Sequence, residues 1–78
     1  MSGQGDRDYT FKAGVMRRER IRKRWTQEDV ARESGMSLGQ ISRIESGAIE
    51  SPHFSTIAKI AQALGVTDED LIEWPVHA

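Results

Sequence analysis

A chain of 78 residues, 37% of them hydrophobic, makes one small domain with a single modest core, too short for a catalytic cleft between domains. It has no cysteine, which excludes disulfides and thiolate metal sites and fits a reducing cytoplasm. The net charge of −1 hides an asymmetry: Met1 to Gly47 holds ten Lys or Arg against seven Asp or Glu, while Ala48 to Ala78 holds Lys59 against five acids. One face should therefore tolerate an anionic partner and another should not.

Residues 1–9, MSGQGDRDY, are rich in Gly and charge and show no periodicity, so they are expected to form a disordered arm ahead of a domain spanning 10–78. Thr10 offers a side-chain oxygen for the start of a first helix, in which Phe11, Val15 and Ile21 form a sparse apolar stripe reaching about Lys23. This helix carries six cations between Arg17 and Arg24. A solvated helix face would read the same way by composition alone. Glu19 and Lys23 are spaced to pair along it, and Trp25 plugs the link that follows.

The spacing predicts a second helix over Gln27 to Ser34, with Thr26 as cap and Asp29 completing a capping box. Val30 and Ala31 face inward. A third runs from Leu38 to Glu45, capped by Ser37 with Gln40 at the reciprocal position, and buries Ile41 and Ile44. A fourth covers about Phe54 to Leu64, where Phe54, Ile57, Ala58, Ala61 and Leu64 keep helical spacing and Gly65 stops the chain. Thr67 caps a short fifth helix of roughly Asp68 to Glu73, whose acids suit its positive end. No strand pattern is apparent. No apolar run approaches the ~20 residues that cross a bilayer, and no signal sequence opens the chain, so the expected location is the cytoplasm.

Two short helices pinched together at Gly35 have the geometry of a helix-turn-helix. Gly35 permits a positive φ there, Ala31 is small where the helix axes approach, and Val30, Met36, Ile41 and Ile44 fill the wedge beneath. Packing leaves Ser37, Leu38, Gly39, Ser42 and Arg43 outward on the second of the pair. In a DNA major groove, short residues at the leading end of a helix permit close approach and an Arg reaches guanine O6 and N7.

With Ala31, Gly35, Ile41 and Ile44 in matching places, Gln27 to Ser46 resembles the core of the phage repressor and Cro-like, or XRE-type, helix-turn-helix family. The resemblance extends over about Phe11 to Trp74, through Arg20 with Glu45, the ESG ending at Gly47, Pro52-His53-Phe54 and KIAQALGVTDEDLI at 59–72. It implies an all-α, five-helix, lambda-repressor-like DNA-binding domain. It also implies base contacts from Ser37, Leu38, Gly39, Ser42 and Arg43, and contacts to the DNA backbone from Arg17, Thr26, Gln27, Gln40, Ser46 and His53. Arg20 and Glu45 would form an ion pair tying the first helix to the third. The sequence departs from the family pattern after Gly47, offering Ala48, Glu50 and Ser51 where basic residues are frequent, and Gly39 removes one expected reader of bases.

Leu71, Ile72 and Trp74 form an apolar end on an acidic segment and are assigned to a two-fold interface, with simple core capping as the alternative. His53 and His77 have no clustered partners in the sequence, so no metal is expected, and His53 reads as the start of the fourth helix. No Gly-rich phosphate loop or nucleophile constellation is present, so neither an enzyme nor a cofactor is expected. Two functional readings remain. One is a transcriptional regulator, foremost a repressor, that binds a pseudo-palindromic operator on double-stranded DNA as a homodimer, with recognition helices ~34 Å apart. The other is an antitoxin-type interaction module that masks a toxin.

Overall fold

The computed structural model describes residues 9–75. Residues 1–8 of the expected arm, and His77, lie outside that range. Four α-helices occur among the described residues: α1 (Ala13–Arg22), α2 (Gln27–Ser34), α3 (Leu38–Ser46) and α4 (Phe54–Leu64). They are joined by a 3-10 turn at Asp68–Leu71 and by two short strands, β1 (Thr10–Phe11) and β2 (Ile72–Glu73).

Local chemistry fixes the ends of these short helices. Thr26 accepts a hydrogen bond from the Asp29 N–H at 3.1 Å while the Asp29 carboxylate accepts from the Thr26 N–H at 2.7 Å, and Ser37 with Gln40 repeats the exchange at the head of α3. Each box satisfies backbone donors that a helix start would otherwise leave unpaired. At the other end of α2, Gly35 adopts φ 76°, and the Met36 N–H reaches back to the Ala31 carbonyl at 3.0 Å. A side chain would resist that turn. His53 opens α4 through its backbone, without a side-chain cap.

Two parts of the expected outline are corrected. The fifth helix is a four-residue 3-10 turn, capped by Thr67 and Asp70, after which the chain extends into β2. Leu71 and Ile72 are adjacent and both buried, at 0% and 5% exposure. Extending the backbone at Ile72 pairs it with Phe11 in an antiparallel register, with Thr10 opposite Glu73. The second correction concerns the start of the chain: Thr10 and Phe11 form a strand, and α1 begins three residues later, with Lys12 at its cap position. Met16 is the buried residue of α1, whereas Ile21 is exposed. Glu19 pairs with Arg18 and Arg22.

Tyr9, assigned to the arm, belongs to the core. It is buried, its hydroxyl donates to the Pro52 carbonyl, and its own carbonyl accepts from the Ser51 hydroxyl at 2.7 Å. The Phe11 N–H donates to the Glu50 carbonyl at 3.0 Å, so β1 also holds the loop between α3 and α4. The core joins these residues to Met16, Val30, Ala31, Ile41, Ile44, Ile57, Ile60, Ala61, Leu64, Leu71 and Ile72. On α4, Ile60 takes the inward position expected of Ala58, which is exposed, and Phe54 is half-exposed.

Arg20 and Glu45 connect α1 to α3. Nε donates to Oε1 at 2.9 Å and Nη2 to Oε2 at 2.7 Å, while Nη1 donates to the Trp25 carbonyl at 2.8 Å. The side chains retain 14% and 5% exposure. Hydrogen bonding to Glu45 raises the Arg20 guanidinium above its ordinary value, against the lowering effect of burial. Removing one partner of such a pair leaves a charge in a poorly solvated place. Glu45→Ala should therefore cost about 3 kcal/mol, which for a domain of this size lowers Tm by roughly 12–24 °C. Thermal melts monitored by circular dichroism check this, and an unchanged melt would deny the pair any structural role.

Candidate nucleic-acid interface

α3 turns one side to the core and leaves the other bare. Ile41 and Ile44, three residues apart, are buried, while Ser37, Leu38, Gly39, Gln40, Ser42, Arg43 and Ser46 are exposed. All five residues expected to meet bases therefore lie outside the core. Leu38 is 43% exposed, an apolar group that the fold leaves in solvent at the head of the helix. At Gly39 a Cβ would meet nothing within 4 Å. Internal packing therefore gives no reason for the missing side chain, and the surface beside it is open.

The charge on this face has one sign. Glu45 is the one acid of α3, and the Arg20 clasp consumes it. Arg43 is exposed, makes no ion pair among the described residues, and has Gly39, Gln40 and Ser46, all uncharged, as its exposed neighbours at helical spacing. Its guanidinium is therefore free to reach outward.

The expected backbone contacts divide by what the fold already asks of them. Gln27 opens α2 behind the Thr26 cap, next to amide groups that point out of the helix start, an arrangement that favours an anion. Thr26 uses its oxygen in the capping box and keeps its hydroxyl hydrogen for a further acceptor. Gln40 uses its carbonyl oxygen on Ser37, which leaves its amide donors facing solvent. Ser46 donates to the Arg43 carbonyl at 3.0 Å and accepts from the Ala48 N–H at 3.3 Å, so its hydroxyl closes the end of α3. Arg17 is exposed on α1 and His53 stands exposed at the head of α4.

The residues assigned to a two-fold interface separate. Leu71 and Ile72 are buried in the monomer and unavailable to a partner, because β2 folds them against Phe11 and the rest of the core. Trp74 remains 52% exposed. It lies in an aromatic cluster that sequence reasoning missed: ring centroids are 4.8 Å apart for Tyr9 and Phe54, 5.6 Å for Tyr9 and Trp74, and 6.2 Å for Phe54 and Trp74. The signal for it was present in the alternation of Tyr9, Thr10 and Phe11, a strand-like period of two at the boundary of the supposed arm.

Comparison with known proteins agrees with this geometry. The helix-turn-helix family model HTH_3 matches residues 16–71. A crystal structure of a hypothetical transcription factor, NHTF, from Neisseria superposes with a TM-score of 0.73 at 36% sequence identity, covering 81% of this chain and 71% of that one. No curated protein matches the chain significantly. No helix among the described residues is long and apolar enough to cross a membrane. With α2, the Gly35 turn and α3 inside the matched region, the chain belongs to the helix-turn-helix family, in its phage repressor and Cro-like, XRE-type form.

Proposed function

We propose that this protein is a sequence-specific transcription regulator, a repressor that binds a pseudo-palindromic operator as a homodimer with α3 in the major groove. The observation that carries the reading is the outward face of α3, which presents small groups, a solvent-exposed leucine and one unpaired arginine, and no free acid. Helix-sized shape, close approach at Gly39 and a long donor at Arg43 suit base edges. The resemblance to a protein described as a hypothetical transcription factor supports the same reading. In it, Ser37, Leu38, Gly39, Ser42 and Arg43 meet bases, while Arg17, Thr26, Gln27 and Gln40 hold phosphates. Ser46 and His53 are weaker contributors to the backbone contact, since the Ser46 hydroxyl is engaged within the helix end and the loop between them carries Glu50.

A single α3 spans too few base pairs to select an operator, so a second copy must supply the other half-site. With Leu71 and Ile72 inside the monomer, the exposed edge of Trp74 and Phe54, two of the four exposed large hydrophobics among the described residues and adjacent to each other, is the surface we assign to self-association. Aromatic groups of this kind are enriched at interface centres. The same patch is the feature that favours the second reading, an antitoxin-type module that buries it against a toxin.

Three experiments decide among these readings. On a site selected from randomised DNA, Arg43→Ala should lose about 1–3 kcal/mol of affinity and little on a scrambled duplex, whereas Gln27→Ala should weaken both by similar factors. Failure to enrich any sequence would defeat the regulator reading. Gly39→Ala supplies a contrast, because alanine is favoured over glycine in a helix, by up to about 0.5 kcal/mol at this second position of α3, and the added methyl has room in the free protein. Its Tm should rise while its affinity for the selected site falls, and a lower Tm would mean that the fold itself needs the glycine. Sedimentation of Trp74→Glu should show a folded monomer where the wild type is a dimer. A wild type that is already monomeric at operator-binding concentrations would turn the aromatic patch over to a different protein partner.

A further inference from the structure

The six cations between Arg17 and Arg24 do not form one basic surface. Arg18 and Arg22 both pair with the Glu19 carboxylate, at 3.4 Å each. On the same side of α1, a groove lined by Lys12, Arg18, Glu19, Glu69 and Asp70 runs against the acidic 3-10 turn. The Asp70 carboxyl is held below the usual carboxylate range chiefly by the Thr67 N–H and hydroxyl, with Lys12 and Arg18 adding to the effect. This side of α1 thus meets the acidic second half of the chain, and its arginines are occupied by carboxylates.

The other cations stand differently. Arg17 and Arg24 are exposed and make no ion pair among the described residues. Arg17 lies three positions before Arg20, on the side of α1 that faces α3, where Arg20 grips Glu45. Arg24 follows α1 in the link to α2, one residue before the Trp25 carbonyl that Arg20 also holds and three before Gln27. Its φ of 62° makes it the one non-glycine residue of positive φ among the described residues, at a helix end where glycine would fit without strain. Lys23 is directed elsewhere, with Nζ 5.0 Å from the centroid of the Trp25 ring.

We propose that intramolecular pairing sorts this run by role: Arg17 and Arg24, on either side of the clasp to the recognition helix, contact DNA phosphates, while Arg18 and Arg22 serve Glu19 and the acidic turn and contribute no phosphate contact. The inference rests on the DNA-binding reading above and names the residues that supply its sequence-independent affinity. An arginine beside a carboxylate already has part of its charge neutralised, so it condenses less onto a phosphate and releases less counterion on binding. Arg17 and Arg24 have no carboxylate partner among the described residues, and on binding they release the counterions condensed on the DNA.

The test is the salt dependence of affinity for one fixed random duplex, measured between about 50 and 200 mM salt for the wild type, Arg17→Gln with Arg24→Gln, and Arg18→Gln with Arg22→Gln. Both double variants remove the same charge, so a difference between them reports local contact and not the overall field. All four positions are exposed, and circular dichroism melts establish that each variant is folded. The first pair should lower the slope of log affinity against log salt by about 1.8, two contacts at ~0.9 each. The second pair should keep the wild-type slope. Equal losses from the two pairs, a larger loss from the second, or a wild-type slope retained by the first would each overturn the sorting. A flat slope for the wild type itself would defeat the DNA-binding reading, and this proposal with it.

Discussion

The packing of α1 on the helix-turn-helix depends on one polar contact, the two-pronged bond from Arg20 to Glu45 with its third donor on the Trp25 carbonyl. Elsewhere along α1, Ala13 and Val15 pack partly buried against the core and the Lys12 N–H holds the Leu71 carbonyl at 2.7 Å. Met16 is its one buried residue and Ile21 faces solvent, and apolar burial does not by itself prefer one orientation over another. A planar guanidinium meeting a carboxylate edge-on does. The clasp sets the angle of α1 against α3 and pins the link that leads into α2, and it also removes the only negative charge of α3. A fold contact and the electrostatics of the exposed face therefore come from the same pair of side chains.

The rest of the fold answers a problem of length. Helices of eight to eleven residues, as α2, α3 and α4 are, are marginal by themselves in water. Here two of them begin in reciprocal capping boxes, and all three end at glycines with φ between 76° and 90°. Strong ends allow short helices to hold firm positions, and a short helix presents a blunt leading end. The result is an α3 whose orientation is fixed by its caps and two buried isoleucines while most of its remaining side chains are left to solvent.

How much of this could be read in the sequence follows from the range of each interaction. The bounds of α2 and α4 were legible, and those of α3 to within one residue, because caps, stops and periodic apolar residues lie within a few positions of one another. The exposed set on α3 was legible by subtraction, once Ile41 and Ile44 had been assigned inward. The Arg20 clasp spans 25 residues and was visible only through resemblance to a family. The β1–β2 pairing was missed, since each strand is two residues long and its partner is more than sixty positions away. For Leu71 and Ile72 the sequence left interface and core capping both open, for a different reason. Burial in a core and burial in an interface ask for the same side chains, and only the fold of the chain around them distinguishes the two.

That two-rung pairing also governs how the domain would respond to mechanical load. Because Thr10 lies opposite Glu73 and Phe11 opposite Ile72, tension applied through Tyr9 and Trp74 enters both strands at the same end. The rungs are then strained one after the other, as in opening a zipper, and not together, as in shearing. Peeling would draw Phe11 and Ile72 out of the core they share with Ile41 and Ile44 and loosen the hold of β1 on Glu50. Load entering at this corner meets the two rungs singly before it reaches the core, so the pairing resists it less than the same two rungs would under shear.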